Sequence, residues 1–170
     1  MQKLIDLAHI RSTARKIRGT VKKTPLQESL NYSQKYNSKI FFKREDLQDV
    51  KSFKIRGAYT KILSVEKTIA QNGLVCASAG NHAQGFAVSC SLLDYNGIVF
   101  MPHSSPSLKV GLVYIFVGKN IKIKLVGENF SKAYKAAMDY CISNRKTFIH
   151  PFDDIKAVSY THLTLPTISV

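Results

Sequence analysis

Three cysteines, at positions 76, 90 and 141, are all the sequence holds. They are odd in number, sit in apolar patterns and form no C-x-x-C pair, which argues against a disulfide framework or a redox motif. They read as small buried hydrophobes in a reducing cytosol. Together with the five histidines they show no spacing that suits a metal site, so no metal is expected. Long hydrophobic runs are also missing, and no segment is expected to span a bilayer. Residues Met1-Gln2-Lys3-Leu4-Ile5-Asp6 lack the apolar block and cleavage site of a secretory leader. There is no G-x-G-x-x-G, which removes the dinucleotide fingerprint. Gly80 and Gly85 have the spacing of half a P-loop, but Phe86 and Ala87 stand where Lys and Ser/Thr are required, so a nucleotide reading fails. Internal repeats and low-complexity stretches are absent.

Carboxylates are scarce: 11 Asp and Glu face 25 Lys and Arg, for a net charge of +14. A balance this basic can mark a nucleic-acid partner. Here the lysines are spread along the chain, at 22, 23, 39, 51, 119, 122, 124, 132 and 135, and are not interleaved with aromatics on one face. No nucleic-acid motif accompanies them, so the charge reads as a lysine-rich surface. A chain of 170 residues, 45% hydrophobic and 21% charged, suits a soluble globular domain with a core of its own.

What is present is alternation of strand and helix. Apolar spacing predicts a helix over 2–18, ended by Thr24-Pro25. Strands are expected at 39–43, 74–77, 97–101, 120–126 and 147–149, and helices at 52–65, 81–93, from about 106, and 129–143. The last helix should turn Phe130, Ala133, Tyr134, Ala137, Met138 and Cys141 inward. Repeated βα units argue for an α/β fold with parallel sheets covered by helices.

Two clusters carry chemistry. In Ser52-Phe53-Lys54-Ile55-Arg56-Gly57-Ala58-Tyr59, a lysine lies between apolar neighbours and follows the apolar strand Ile40-Phe41-Phe42. Desolvation of such an amine lowers its pKa and frees the lone pair for Schiff-base chemistry. On its own, one lysine in a lysine-rich chain is more often a surface residue. The second cluster, Ser78-Ala79-Gly80-Asn81-His82-Ala83-Gln84-Gly85, places small residues between a short apolar strand and a helix start. Outward N–H groups at that turn, with the positive end of the helix dipole, suit a carboxylate or phosphate. The ordinary reading is a βα turn in which Gly80 permits the bend.

Taken together, the two clusters resemble the pyridoxal-phosphate enzymes of the tryptophan synthase β-like class, fold type II, and within it the threonine dehydratase branch. Lys43-Arg44-Glu45-Asp46-Leu47-Gln48, Met101-Pro102 and Phe148-Ile149-His150-Pro151-Phe152-Asp153-Asp154 stand in the same order and spacing. The resemblance covers about residues 10–156. It implies pyridoxal 5'-phosphate as cofactor, carried covalently on Lys54. Phe53 would flank the cofactor, and Asn81 would hydrogen-bond its ring hydroxyl. Ser78, Ala79, Gly80, Asn81 and His82 would grip the carboxylate of a small amino acid, with Glu45, His82 and Arg56 as supporting groups.

The activity implied is deamination of L-threonine, and of L-serine, to a 2-oxo acid and ammonia, the first step of isoleucine biosynthesis, in a cytoplasmic homo-oligomer. Lys54 would take the α-proton. Alternatives are a serine racemase-like or other fold type II enzyme, or a non-catalytic fragment. Racemases of this kind place a second Ser where this chain has Ala79, which has no acid or base, so elimination is favoured.

The implied organisation is an opening segment of the large domain (1–56), a small inserted domain (57–150), a return to the large domain (151–157) and a tail (158–170). Two regions depart from the family. Gly111-Leu112-Val113-Tyr114-Ile115-Phe116-Val117 is apolar on all sides where a polar helix is usual. Residues 158–170 are uncharged and resemble a translated sequencing adapter, so they are expected to be foreign and not docked as a native strand. No Gly-rich phosphate loop occurs among the nine glycines, so the chain as written is expected to be inactive.

Overall fold

The computed structural model describes residues 7–116 and 118–151. The expected segments 1–6, 152–157 and 158–170 lie outside the described residues. The chain begins with α1 (Leu7–Lys16), a short strand β1 (Leu26–Glu28), α2 (Leu30–Lys35) and β2 (Phe41–Lys43). A single 3-10 turn, Glu45–Leu47, then leads into α3 (Lys54–Leu63) and α4 (Lys67–Gln71). Next come β3 (Leu74–Ala77), α5 (Asn81–Leu92), β4 (Gly97–Met101), α6 (Ser107–Ile115), β5 (Ile121–Leu125), α7 (Phe130–Asn144) and β6 (Thr147–Phe148).

Strands β3 to β6 form one parallel sheet in the order β5-β4-β3-β6. Every residue of β3 is buried, because helices cover both faces of the sheet. Its side chains alternate between two cores. Leu74 and Cys76 join Val99, Met101, Phe86, Cys90 and Val113 on the α5–α6 face. Val75 and Ala77 join Phe100, Ala137 and Cys141 under α7. All three cysteines are free thiols and buried, one in the central strand and one in the helix on each face. Edge strand β5, Ile-Lys-Ile-Lys-Leu, keeps Lys122 and Lys124 exposed, and charge on an edge discourages further strand pairing.

The order of the strands positions the site. From β3 the chain crosses through α5 to β4 on one side, while β6 lies on the other. The carboxyl ends of β3 and β6 therefore flank a topological switch point, where open α/β sheets form their ligand crevice.

The opening segment differs from the expected parallel pattern. β1 and β2 pair antiparallel, Leu26 opposite Lys43 and Glu28 opposite Phe41. Phe42 meets Tyr32 edge-on at 5.6 Å, and Leu26, Leu30, Tyr36 and Phe41 are exposed. The expected boundary at 56/57 falls inside α3. Its Ile55 and Tyr59 pack with Ile17, Val21 and Val50, whereas Ile62 joins the core of the parallel sheet. In α7, Ala133, Ala137 and Cys141 are buried as expected, Tyr134 and Met138 are half-buried, and Phe130, the first residue of the helix, is 40% exposed. Helix α6 buries only Val113 and leaves Leu108 and Ile115 more than 70% exposed. Of its apolar run, Val117 lies outside the described residues.

Candidate active site

Lys54 is the first residue of α3 and follows Phe53, which caps the helix without a side-chain hydrogen bond. Its amine donates to the carbonyl oxygen of Pro151 at 3.2 Å and lies 5.3 Å from the centre of the Phe53 ring. Partial burial lowers its pKa from the usual lysine value.

What seats Lys54 is Gly85. A Cβ there would meet the Lys54 carbonyl carbon and oxygen at 3.1 Å and the Ile55 nitrogen at 3.2 Å. Any side chain there would have to push α5 away from the start of α3 by a few tenths of an ångström. The spacing within the second cluster thus fixes where the amine stands relative to the helix start at Asn81.

The 78–82 loop leaves the carboxyl end of β3. Ser78 is buried; its N–H donates to the Phe100 carbonyl at 3.0 Å and its Oγ accepts from the Gly80 N–H at 3.3 Å. Ala79 and Gly80 are half-buried, and Asn81 is exposed as the first residue of α5. A Cβ on Gly80 would have nothing within 4 Å, so the front of this loop is open. As the N-cap of a helix twelve residues long, Gly80 presents the positive end of that helix to the opening.

His82 is 5% exposed and faces the same region. Burial lowers its pKa to about 4, the nearby positive charge of Lys54 and, to a lesser degree, His150 push the same way, and a hydrogen bond to the Ile149 backbone opposes them. His82 is therefore neutral through the physiological range. Its Nε2 is buried without a hydrogen-bond partner among the described residues. Lys54 is anchored on the segment that leaves β6, at the Pro151 carbonyl, and His82 lies close to the Ile149 backbone of the same segment.

Glu45 and Arg56 form a separate cluster. The Arg56 guanidinium donates to both Glu45 oxygens, at 2.9 and 2.8 Å, and to the Lys22 carbonyl at 2.9 Å. Thr24 Oγ1 and Gln48 Nε2 also donate to Glu45. Burial would raise the Glu45 pKa, but these bonds more than offset it and hold the carboxylate below its usual range. The pair fastens the 22–24 segment and the 3-10 turn to the first turn of α3.

The structure thus brings Lys54, Phe53 and the 78–82 loop to one end of the sheet. Sequence reasoning missed Gly85 as a spacer, although it stands in the quoted motif, and assigned no role to Ile149, His150 and Pro151. Among the described residues no group of three or more His, Cys, Asp or Glu could hold a metal. No helix among them is long and apolar enough to cross a membrane.

A family described as pyridoxal-phosphate dependent enzyme matches residues 17–168. Among curated relatives, the L-threonine dehydratase biosynthetic IlvA of Bacillus subtilis (strain 168) is 46% identical over 151 residues, 89% of this chain and 36% of the relative. The chain therefore spans about a third of the length of the curated relatives it matches. Among solved structures, the processed threonine deaminase isoform 2 of Solanum lycopersicum aligns with a TM-score of 0.78 at 29% identity, covering 91% of this chain and 43% of that one. Maize serine racemase aligns with a TM-score of 0.87 at 25% identity, covering 95% and 48%.

The residues present fit this cofactor. It needs a primary amine whose pKa is lowered by burial, and Lys54 has one. It and an amino acid also need donors for anionic groups and space to sit, which the open face of Gly80 at the start of α5 offers. With the match spanning most of its length, the chain belongs to the pyridoxal-phosphate dependent enzyme family.

Proposed function

We propose that this chain is the amine-bearing part of a lyase that deaminates L-threonine, and L-serine, to a 2-oxo acid and ammonia. The observation that carries the reading is the Lys54 amine, half-buried and seated against α5 beside the 78–82 loop. The name of the Bacillus subtilis relative supplies the substrate class. Pyridoxal phosphate, when bound, supplies the electron sink that makes the α-proton acidic.

Lys54 would hold the cofactor through Nζ, and the same nitrogen would be the base that accepts the α-proton. Phe53 flanks the cofactor, and Asn81 orients it. Ser78, Ala79, Gly80, Asn81 and His82 bind the substrate carboxylate through the N–H groups of the loop and helix start. Glu45 and Arg56 keep the first turn of α3 in place. In this reading 1–56 opens the large domain and 57–150 is the inserted unit, so Lys54 stands at their junction. The same reading places a homo-oligomer in the cytoplasm, in keeping with three reduced, buried thiols.

The test is made on the intact protein that contains this chain, with pyridoxal phosphate. Lys54→Ala should remove the cofactor absorbance near the visible edge and lower 2-oxobutanoate formation from threonine by about a thousandfold. Normal turnover by that variant would sink the assignment. The likeness to maize serine racemase supports a second reading, racemisation. Ala79 disfavours it, and formation of D-serine from L-serine would reverse the choice.

A further inference from the structure

The amino ends of the parallel strands line a second cleft, with a volume of about 190 Å³. The length of β3, on the order of 15 Å, separates it from the 78–82 loop at the carboxyl end. Lys119, Asn120 and Lys122 line it from the β5 side and Lys146 from the turn before β6, while Asn96 and Tyr140 complete the polar lining. No Asp or Glu lines it.

The fold places these lysines. Lys122 stands opposite Ile98 in register, and strand alternation puts Lys124 on the same face, 4.2 Å from the centre of the Tyr140 ring. Helix α7 ends at Arg145, whose φ of 51° is left-handed and turns the chain back toward the sheet. The Lys146 N–H then donates to the Cys141 carbonyl at 2.9 Å, and its ammonium donates to the Asn72 carbonyl. Lys146 lies against Gly73, where a Cβ would meet its Cδ and Nζ at 3.4 Å. It is therefore half-buried and held, not extended into water.

Ammonium groups gathered at one cleft repel one another. Among the described residues none of the three pairs with a carboxylate. Asp94 accepts from the Asn120 amide at 2.6 Å, outside the lining. A ligand that relieves this repulsion is an anion, and a dianion relieves more of it than a monoanion. The volume equals about six waters at roughly 30 Å³ each, which suits a small oxyanion and not a nucleotide. A planar carboxylate is best matched by the fork of an arginine, and no arginine lines the cleft. Separate ammonium groups act as point charges and suit a phosphate, whose oxygens accept from several directions. A nucleic-acid strand needs successive stacking aromatics, and Tyr140 is the only one in the lining.

We propose that the amino end of the sheet is a binding site for a small phosphate dianion, held by Lys119, Lys122 and Lys146. The inference goes beyond the dehydratase reading and stands whether or not threonine is the substrate. Inorganic phosphate and the phosphate monoester of a small metabolite share this chemistry.

The experiment uses the intact protein loaded with pyridoxal phosphate, so that the cofactor's own phosphate position is filled. In equilibrium dialysis, inorganic phosphate or glycerol 3-phosphate should saturate with a Kd below about 1 mM, and the tighter of the two identifies the source. Lys119→Gln and Lys122→Gln, at exposed side chains, should each weaken binding by about tenfold. Lys39→Gln removes an exposed charge from the opening segment and should change it by less than about twofold. Phosphate should also protect Lys119, Lys122 and Lys146, but not Lys39, from amine acylation read by mass spectrometry. Absence of saturable binding, an equal loss in Lys39→Gln, or protection confined to Lys54 overturns the proposal. So does a single-stranded oligonucleotide that binds more tightly than either phosphate and loses affinity equally in all three variants, because the charge then serves nucleic acid. Threonine turnover, measured alongside, should stay within about twofold in Lys119→Gln and Lys122→Gln. A parallel loss of turnover would put the phosphate in the active site and overturn the proposal. If the unaltered protein binds phosphate as expected but does not turn over threonine, the dehydratase reading fails and the phosphate site stands.

Discussion

Lys54 and Arg56 stand two residues apart in α3 and occupy opposite electrostatic settings. Arg56 is locked on a buried carboxylate, and every oxygen of that carboxylate has donors: the guanidinium, Thr24 and Gln48. Lys54 faces the other way, toward a backbone carbonyl, with His82 near it and a pKa lowered by burial. The first cluster is satisfied within the protein, as buried charges in a structural role must be. The second holds a half-buried amine of lowered pKa beside a buried imidazole whose Nε2 has no partner among the described residues. One turn of helix thus joins a fastening to a site, and the two should respond differently to the same kind of change.

The largest expected effect separates them by readout. Lys54→Ala, for all its cost to activity, should change the unfolding free energy by less than about 1 kcal/mol, measured in denaturant. Arg56→Ala leaves a buried carboxylate unpaired and should destabilise by about 3 to 5 kcal/mol in the same titration. Arg56→Lys should recover only part of that, since an ammonium cannot span both oxygens. If Arg56→Ala proved as silent as Lys54→Ala, the division between fastening and site would collapse.

Next in size is the pH response. The folded pKa of His82, about 4, lies below its ordinary value of 6.5, so between those values the unfolded chain binds the extra proton. Stability should therefore fall as pH drops from 6.5 toward 4, by up to about 3 kcal/mol. Glu45 also has a lowered pKa, so its contribution is present above the unfolded carboxylate value and lost as pH falls below it. The two windows adjoin, and His82→Gln should flatten only the upper one in thermal scans taken at several pH values.

Gly85→Ala should cost about 1 to 3 kcal/mol, because the atoms its Cβ would meet at 3.1 Å are backbone and cannot swing aside. It should also reduce turnover by moving Lys54, the one single change expected to damage both halves of the comparison. The smallest effect is a control beside Glu45. Arg44 and Asp46 make a two-point ion pair at the surface, and Asp46→Ala should cost less than about 1 kcal/mol in denaturant titration.

Most of the sheet was legible in the sequence. β3 and β4 fall at the expected residues because both are short, apolar and entered from glycine, at Gly73 and Gly97. β1 and α2 were not anticipated, since no residue of either is buried and neither offers a period to read. In the site, the side chains were legible because their chemistry is tied to residue type: a lysine between apolar neighbours, and small residues before a helix. The carbonyls of Ile149 and Pro151 were not. They are backbone atoms, and it is the placement of β6 beside β3 that carries them to Lys54 and His82.

The buried cysteines provide a clock for how the molecule comes apart. Burial raises all three thiol pKa values, that of Cys141 to about 11, so in the folded state almost no thiolate is available to an alkylating reagent. Labelling must wait for opening, and each thiol waits for a different event. Cys141 is released when α7 lifts from its face of the sheet, and Cys90 when α5 leaves the other. Cys76, in the central strand, should react only when the sheet itself is lost. Three alkylation rates at fixed reagent would then order the layers by their opening free energies, with no probe added to the chain.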